Sequence, residues 1–261
     1  MTDAPNLKTD WNHAAGDYAK HRAGFPDWFF DRIESAGLFR RGMRVLDLAT
    51  GTGTLARGFA LRGGIATGLD IAPQMMAQAK ALDAAAGVSI DYVQAKAEAT
   101  GLPDDSFDLI TAGTCWFWVD GVATTREAMR LLSPGGAMVI GMLAWLPLGD
   151  NVVRSSERLI EKYNRAWDKG NLQIAAGAFL HDLAAAGFEA RESFSVDYDI
   201  PYSHEAWRGR IRASAGVSAS LGAETVAAFD AEHAAMLARD FPQDPMQVPH
   251  RVVAAWGRKG S

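Results

Sequence analysis

The chain has 261 residues, enough for one good-sized domain or a domain with a smaller subdomain. Hydrophobic residues make up 48% and charged residues 22%, ordinary proportions for a globular protein, and the net charge is −5 without a basic tract. Binding to a nucleic-acid backbone is therefore not expected. No apolar run reaches the length of a membrane span, residues 1–9 are too polar for a signal peptide, and the single cysteine, Cys115, excludes an intrachain disulfide. These features predict a cytoplasmic protein that binds neither nucleic acid nor membrane.

Two short helices are predicted ahead of the first strand. Residues 11–21 carry aromatic and basic side chains at helical spacing, and residues 24–26, Gly-Phe-Pro, interrupt the pattern. A second helix is predicted over 28–37, ending at a glycine. We predict that residues 1–40 form an N-terminal helical cap.

Residues 44–60 have the pattern of a strand, a glycine turn and a helix. Residues 45–48 form an apolar run with one acid, as expected of a strand buried on both faces of a parallel sheet. Gly51 and Gly53 follow, and glycine allows both a positive φ and a close approach of a ligand to the backbone. Free N–H groups at the start of the next helix would suit an anionic part of a ligand. This turn is the predicted cofactor site.

Two classes of cofactor use such a turn. Gly51, Gly53 and Ala56 match the dinucleotide fingerprint G-x-G-x-x-G/A, in which a pyrophosphate sits on the helix N-terminus. The other class of cofactor is S-adenosylmethionine, which has no phosphate. Asp47 favours the second class, because a buried acid is costly unless it is paired, and this cofactor carries an ammonium and a sulfonium.

The segment VLDLATGTGTLA, residues 45–56, resembles motif I of the class I S-adenosylmethionine-dependent methyltransferases, D-x-G-x-G-x-G, with Ala49 in place of the first glycine. The resemblance continues in L-P-x-x-x-F-D over 102–108 and in an L-x-P-G-G turn over 132–136. It covers residues 11–143 well and is strongest toward the small-molecule branch that includes the ubiquinone and menaquinone biosynthesis enzymes. It implies a doubly wound, mostly parallel seven-stranded α/β sheet.

The resemblance also implies a contribution from the segment before the first strand. Ala15, Tyr18, Arg22 and Pro26 loosely match an A-x-x-Y-x-x-x-R signature that is followed by a proline. Tyr18 and Arg22 would then cover the methionine end of the cofactor. The alternative is that Tyr18 packs in the core and Arg22 is a solvated surface charge.

A second acid follows the second predicted strand, residues 65–70. Asp70 lies 17 positions after Gly53, close to the spacing of about 20 expected for a carboxylate that binds ribose hydroxyls. Ile71 would pack on the adenine, and Met75 would begin the buried face of a helix that starts near Pro73. The alternative for Asp70 is a plain N-cap of that helix.

The third strand is predicted over 89–94 and leads to the expected adenine-binding position. Relatives often carry an acid there, whereas this chain has Lys96, a donor and not an acceptor. Ala97, through its backbone N–H, or Glu98 would then take over the recognition of adenine. Asp108, in the L-P-x-x-x-F-D segment, is predicted to be structural.

The fourth strand, residues 109–112, opens into the predicted reaction site. In an open α/β sheet ligands bind beyond the carboxyl ends of the strands, which places residues 113–118 there. Aromatic faces suit a sulfonium cation, and we expect Trp116 or Trp118 to touch a ligand; the alternative is that one or two of these rings are core. Cys115 is not predicted to be a nucleophile, because methyl transfer needs no covalent enzyme intermediate.

The motifs thin out beyond residue 145. Helices are predicted over 124–132, 152–167, 173–186, 204–214 and 224–239, and strands over 137–143, 188–200 and 251–256. We predict an α/β core over 41–200, a helical lid inserted over 201–248, and the last strand of the core within 249–261. Such lids exclude water and select substrates.

No general base can be assigned from the sequence, and His21 and His204 are the weak candidates. His204 lies in PYSHEAWRGRIR, residues 201–212, where several polar and aromatic side chains are candidates for substrate contact and the alternative is a capped helix with a solvated face. No metal site is predicted. The predicted cofactor-binding residues are Tyr18, Arg22, Asp47, Ala49, Thr50, Gly51, Gly53, Asp70, Ile71, Met75, Ala97, Glu98, Gly113, Thr114 and Trp116.

The prediction is a methyltransferase that transfers the methyl group of S-adenosylmethionine in line to a small-molecule acceptor, as a monomer or a homodimer. One alternative is a non-catalytic module that binds S-adenosylmethionine or S-adenosylhomocysteine, which the lysine at position 96 keeps open. The other is an NAD(P)-dependent oxidoreductase, against which Asp47 and the absence of a recognisable Tyr/Lys pair argue.

Overall fold

The computed structural model describes residues 20–21, 23–168 and 175–260. The strands are β1 (Arg44–Leu48), β2 (Ile65–Asp70), β3 (Asp91–Gln94), β4 (Phe107–Gly113), β5 (Leu132–Trp145), β6 (Glu189–Tyr202) and β7 (Met246–Arg258). They form one seven-stranded sheet in the order β3-β2-β1-β4-β5-β7-β6.

The first five strands are parallel, because β1 pairs in parallel with β2 and β4, β2 with β3, and β4 with β5. Strand β7 runs antiparallel to β5: Lys259 N–H donates to Gly136 O, and Leu146 N–H donates to Pro249 O, so the numbering rises along one strand while it falls along the other. The predicted doubly wound, mostly parallel α/β sheet is confirmed.

The helices alternate with the parallel strands and then follow them. They are α1 (Asp27–Ser35), α2 (Thr54–Leu61), α3 (Pro73–Ala86), α4 (Gly121–Leu131), α5 (Val152–Tyr163), α6 (Gly177–Ala185), α7 (His204–Arg212) and α8 (Ala223–Asp240), with a 3₁₀ turn over Trp116–Trp118 between β4 and α4.

Side-chain caps explain where several helices begin. Pro73 occupies the first turn of α3, as predicted, and Gly87 ends that helix with a φ of 71°. Helix α4 begins three residues before the predicted position 124, because Asp120 accepts a bond from Ala123 N–H at 3.0 Å and caps it. The apolar periodicity starts later than the cap, so the sequence pattern placed the helix start too late.

Helix α5 ends earlier than predicted, at Tyr163 and not at 167. Asn164 leaves the helical conformation with a φ of −134°, and its side-chain amide donates to Gly216 O at 3.0 Å. A tertiary contact from a distant segment thus replaces the last helical turn.

Strand β5 contains the L-x-P-G-G segment, which was predicted as a turn before the strand. Phe107 pairs with Leu132 and Leu109 pairs with Ala137, so residues 133–136 form a bulge inside the strand. Gly135 has a φ of 76° there, a conformation that glycine adopts without steric cost. The strand resumes after the bulge and runs to Trp145.

Strand β7 begins at Met246, five residues before the predicted start at 251, and it includes Pro249. Proline is rare inside a central strand because it has no N–H to donate. In an antiparallel pair the missing N–H would face the carbonyl of Leu146. That carbonyl instead accepts bonds from Asn151 Nδ2 at 2.8 Å and from Leu148 N–H at 3.0 Å. A side chain thus replaces the missing ladder bond.

The described chain forms two compact units. The first unit comprises residues 24–143, 175–196 and 252–260; the second unit comprises 20–21, 23, 144–168 and 197–251. The range 201–248, predicted as a lid, belongs to the second unit, and its role as a lid stays a prediction.

The core of the first unit packs α1 tightly on α2. A Cβ added at Gly58 would lie 2.1 Å from Phe30 Cζ, so glycine permits this close approach of the two helices. The ring of Phe30 in turn packs edge-on against Phe59, with centroids 5.1 Å apart. This packing fixes α2, whose N-terminal end follows the glycine turn.

The second unit has its own core around a fully buried tryptophan. Trp207 donates from Nε1 to Ser156 Oγ at 2.9 Å, and Ser156 Oγ also lies 3.0 Å from His233 Nε2. Arg208, the next residue of α7, pairs with Asp230 of α8. These bonds tie α5, α7 and α8 together.

Candidate functional site

The loop between β1 and α2 turns through three residues in the left-handed conformation. Ala49, Gly51 and Gly53 have φ angles of 49°, 56° and 76°. The two glycines adopt this conformation without steric cost. Ala49 carries a Cβ, which makes a left-handed conformation cost about 1 kcal/mol. The turn accommodates the alanine, but under strain.

The amides of both loop glycines are engaged within the protein. Gly51 N–H donates to Asp70 Oδ2 at 2.8 Å, and Gly53 N–H donates to Thr50 O at 2.9 Å. A bound pyrophosphate would need such amides as donors. Neither glycine amide is available to an anionic ligand, because a carboxylate and a carbonyl of the chain already take them. The amides predicted to be free at the start of the helix are a different set, and their role stays a prediction.

Asp70 joins this loop to the one that follows β2. Its Oδ2 accepts the bond from Gly51, and its Oδ1 accepts one from Ala72 N–H at 2.9 Å. The side chain is 9% exposed, and helix α3 has Ala72, not Asp70, at its N-cap position. The plain N-cap interpretation of Asp70 is therefore wrong.

Asp47 lies beneath the same loop and is 2% exposed. Its Oδ2 accepts a bond from Thr50 Oγ1 at 2.6 Å, and its Oδ1 accepts one from Thr111 Oγ1 at 2.8 Å. Burial raises the pKa of Asp47 to about 6, although the two hydroxyl bonds act in the opposite direction. Its effect on a ligand is therefore electrostatic, because the side chain is almost fully buried beneath the loop.

Thr111 is a site residue that the sequence analysis missed. It stands opposite Asp47 in the parallel pairing of β1 with β4 and is fully buried. A hydroxyl residue inside an otherwise apolar strand is the signal that would have identified it, because such a group needs a polar partner when buried.

The residues after β2 and β3 differ in exposure. Ile71 is 64% exposed, whereas Met75 is buried, and its Cε would lie 3.5 Å from a Cβ added at Gly51. Ala97 is buried, and Glu98 Oε1 accepts a bond from Asp120 N–H at 3.0 Å, which connects it to the start of α4. Their predicted contacts with adenine stay predictions.

The loop after β4 also contains a residue in a strained conformation, which hydrogen bonds hold in place. A Cβ added at Gly113 would lie 2.7 Å from Leu55 Cδ1, so α2 packs closely there. Thr114 has a φ of 56°, its N–H donates to Gly141 O at 2.8 Å, and its Oγ1 accepts a bond from Leu143 N–H. Two non-glycine residues, Ala49 and Thr114, thus take left-handed conformations after adjacent strands, and such strain is common at functional sites.

The aromatic residues of the 3₁₀ turn divide into one buried ring and two exposed ones. Trp116 is buried, and its Nε1 donates to Asp182 Oδ2 at 2.8 Å. Phe117 and Trp118 are each 42% exposed. Of the two tryptophans considered for ligand contact, Trp118 has the more exposed ring.

The remaining candidates lie outside the first unit or outside the described residues. Tyr18 and Arg22 are not among the described residues. His21 and His204 belong to the second unit, where His204 Nε2 donates to Phe241 O at 2.8 Å. That bond ties α7 to the end of α8, and a role of either histidine as a base stays a prediction.

Several side chains of the polar segment over 201–212 cap a helix or pack within the second unit. Ser203 caps α7 by accepting a bond from Ala206 N–H at 3.1 Å, and Trp207 is fully buried. The guanidinium of Arg210 lies 4.6 Å from the ring centroid of Trp145. The capped-helix interpretation is thus confirmed for the start of α7.

No described helix is long and apolar enough to cross a membrane. Residues 20–21, 23–168 and 175–260 also contain no cluster of three or more His, Cys, Asp or Glu side chains that could hold a metal ion.

Comparison with known proteins places this site within a recognised domain. Residues 46–140 match the family model described as a methyltransferase domain. Over this range, about a third of the chain, the sequence is similar to methyltransferase domains. Asp47, the glycine turn, Asp70 and the loop after β4 all lie inside the matched range.

The matches to several individual relatives span less than half of each relative's length. The ubiquinone/menaquinone biosynthesis C-methyltransferase of Shewanella sediminis is 42% identical over 119 residues, 43% of this chain and 47% of that protein. The matched segment spans 38% of the first relatives found, which are mycobacterial proteins. The chain thus matches less than half the length of these relatives, and the likeness concerns the methyltransferase domain.

Solved structures extend the likeness in fold to nearly the whole chain. A candidate type II methyltransferase from Anaeromyxobacter dehalogenans has a TM-score of 0.63 and 21% identity, covering 92% of this chain and 98% of that one. Phosphoethanolamine N-methyltransferase 2 of Haemonchus contortus, solved with S-adenosylhomocysteine, has a TM-score of 0.58 and 16% identity, covering 96% of this chain and 58% of that one. At these identities the likeness concerns the fold.

Proposed function

We propose that this protein transfers a methyl group from S-adenosylmethionine to a small-molecule acceptor. The observation that carries the proposal is the pair of carboxylates, Asp47 and Asp70, around a loop whose glycine amides are already bonded. Two acids and no free glycine amide make this loop favourable for a cation and unfavourable for a pyrophosphate. The sulfonium and the ammonium of S-adenosylmethionine are such cations.

Asp70 is the side chain we assign to the ribose. Each of its oxygens accepts one N–H bond, and a carboxylate oxygen has room for a second donor. The two N–H bonds fix the orientation of the carboxylate before a ligand arrives, so its free lone pairs are already placed for the two ribose hydroxyls. Asp47 contributes negative charge from beneath the loop, held in place by Thr50 and Thr111.

S-adenosylmethionine supplies a methyl group on a positively charged sulfur. As a lone pair or carbanion of the acceptor bonds to the methyl carbon, the carbon–sulfur electron pair returns to sulfur and neutralises it. The protein holds the reactants in line and shields them from water. A small acceptor is supported by the likeness to a quinone-biosynthesis C-methyltransferase and by the exposed rings of Phe117 and Trp118.

Calorimetric titration with S-adenosylmethionine, S-adenosylhomocysteine and NADH tests the cofactor assignment. We expect the first two to bind and NADH not to bind. Asp70→Ala should weaken the binding of both by at least about tenfold, because it removes charged acceptors of the ribose hydroxyls. Asp91→Ala is the matched control, since Asp91 is an exposed acid at the opposite end of the neighbouring strand.

The outcomes separate the alternatives. Binding of NADH alone would contradict the proposal and favour an oxidoreductase. Binding of S-adenosylmethionine that is equally strong in Asp70→Ala and Asp91→Ala would contradict the assignment of the ribose site. Binding by the wild-type protein without turnover of any acceptor would favour a non-catalytic module.

A further inference from the structure

Three side chains, one buried and two half-buried, lie against the inner side of the glycine loop. They are Arg57 of α2, Asp83 of α3 and Tyr92 of β3, and we call them the loop bracket. We propose that the loop bracket positions the cofactor loop by fixing the peptide between Thr52 and Gly53. This inference rests on the proposed function, because it assigns a purpose to the shape of that loop.

Arg57 makes the direct contact with the loop. Its Nη2 donates to Thr52 O at 2.6 Å and to Ala79 O at 3.3 Å, and its Nε donates to Asp83 Oδ1 at 2.8 Å. One guanidinium thus joins the loop, the backbone of α3 and an acid on that helix. The planar fork of arginine suits this task, because its donors have fixed relative directions.

Asp83 and Tyr92 hold the guanidinium in place. Tyr92 Oη donates to Asp83 Oδ2 at 2.8 Å, so each carboxylate oxygen of Asp83 has one donor. Asp83 is buried, and the side chain of Arg57 is 14% exposed. Burial and the neighbouring carboxylate raise the pKa of Tyr92, so its hydroxyl stays a donor at every physiological pH.

Tyr92 also fills the space beneath two glycines. A Cβ added at Gly53 would lie 2.6 Å from Tyr92 Oη and 3.1 Å from Arg57 Nη2. A Cβ added at Gly68, in β2, would lie 2.6 Å from Tyr92 Cε1. The loop bracket therefore needs glycine at both positions, and the second glycine of the motif serves packing from within as well as ligand approach from outside.

A fixed Thr52 carbonyl has a specific consequence for the loop. With that carbonyl held inward by Arg57, the Gly53 N–H on the same peptide points away from it and donates to Thr50 O. The bond from Gly53 N–H to Thr50 O closes the turn, and this turn places Gly51 N–H beside Asp70. A buried ion pair adds little net stability by itself, so orientation of the loop is the benefit that this arrangement provides.

Arg57→Met tests the inference, with Arg62→Met as the matched control. Arg62 ends the same helix, its side chain is similarly buried, and it pairs with Asp27 far from the Thr52 carbonyl. Tyr92→Phe keeps the ring beneath the glycines and removes only the bond to Asp83. For each protein we would measure the amide exchange of Gly51 and Gly53 without ligand, the Kd for S-adenosylhomocysteine, and the Tm.

We expect Arg57→Met to accelerate exchange at both glycine amides and to weaken binding about tenfold, the effect of losing charged hydrogen bonds. Tyr92→Phe should produce a smaller effect of the same kind. Arg62→Met should lower the Tm less, because its partner Asp27 is exposed, and exchange at the glycines and the Kd should stay at wild-type values.

Two results would overturn the inference: wild-type exchange at Gly51 and Gly53 in Arg57→Met, or equal losses of affinity in Arg57→Met and Arg62→Met. If the wild-type protein binds neither S-adenosylmethionine nor S-adenosylhomocysteine, the proposed function fails. Exchange at the two glycine amides then still decides whether the loop bracket orders the loop.

Discussion

Ala49 differs by one methyl group from the glycine that motif I usually carries, and the structure shows the energetic cost of that group. Its φ of 49° lies in the left-handed region, where a Cβ is crowded by the backbone. Thr114 shares this strain after the adjacent strand, with a φ of 56°. Both residues stand where parallel strands end at the candidate site, and such strain is common at functional sites.

Ala49→Gly should stabilise the protein. We expect the free energy of unfolding to rise by about 0.5–1 kcal/mol, because relief of the left-handed strain outweighs the added freedom of the unfolded chain. Urea unfolding measures this change in the free energy of unfolding. Ala84→Gly is the control, an exposed position within α3 where the same change should cost about 0.8 kcal/mol. Equal destabilisation by both substitutions would contradict the strain at Ala49.

Asp47 should make stability depend on pH in an unusual direction for an acid. Its pKa in the folded protein is about 6, above the ordinary value near 4, so the folded state binds the proton more tightly than the unfolded state. The contribution is therefore fully present below about pH 4 and is lost as the pH rises through about 6.

Asp47→Asn isolates this contribution, because asparagine does not titrate. The free energy of unfolding of the wild type minus that of Asp47→Asn should fall by about 2–3 kcal/mol between pH 4 and pH 7. Urea unfolding of both proteins at each pH gives the difference. A difference that stays constant over this range would show that the pKa of Asp47 is not raised.

At the level of elements, the junction of β5, β7 and α5 shows how a strand accommodates a proline. Asn151 Oδ1 caps α5 by accepting a bond from Arg154 N–H at 2.9 Å, while its Nδ2 donates to Leu146 O at 2.8 Å. One amide side chain thus replaces the ladder donor that Pro249 lacks and begins the next helix.

Asn151→Asp separates these two tasks. Aspartate still caps the helix but offers no donor to Leu146 O, which keeps only its bond from Leu148 N–H, so we expect a loss of about 1 kcal/mol in the free energy of unfolding. Adding Pro249→Ala restores a backbone N–H opposite that carbonyl and should recover about 1 kcal/mol. Chemical denaturation of both single variants and the double variant tests this. If the changes in the free energy of unfolding simply add in the double variant, the Asn151 side chain does not stand in for the N–H that Pro249 lacks.

The local sequence pattern was sufficient to predict the strand, the turn and the acids around the glycine loop. It was not sufficient to predict the side-chain hydrogen bonds that hold the loop in place. Asp47, Gly51, Gly53 and Asp70 were predictable because a strand, a turn and an acid at fixed spacing specify them locally. The bonds from Arg57 to Thr52 O and from Tyr92 to Asp83 join side chains of three different elements, and no spacing along the chain encodes them. Caps and bulges were missed for a similar reason, since apolar periodicity does not report hydrogen bonds.

At the scale of the whole molecule, the two units should respond to acid in opposite directions. Burial lowers the pKa of His233, in the second unit, to about 4, so the folded state favours the neutral ring. Its contribution to stability is present above about pH 6.5 and is lost as the pH falls toward 4, whereas the contribution of Asp47, in the first unit, grows over the same range.

Hydrogen exchange resolves the two units in one experiment. After correction for intrinsic rates, lowering the pH from 7 to 5 should reduce the opening free energy of amides in α5 and α8 by about 2 kcal/mol. The opening free energy of amides in β1 and β4 should rise over the same range. His233→Phe should remove the first change and leave the second. Parallel changes in both units, in wild type or variant, would contradict this account.

The most direct test of the central claim is transfer of labelled methyl groups. The protein is incubated with S-adenosylmethionine labelled in the methyl group and a small-molecule fraction of a bacterial extract, and label in the products is counted for wild type, Asp70→Ala and Asp91→Ala. The account predicts protein-dependent label in a small molecule with wild type and Asp91→Ala, and little with Asp70→Ala. Tight binding of S-adenosylmethionine with no label transferred by any of the three proteins would contradict a methyltransferase.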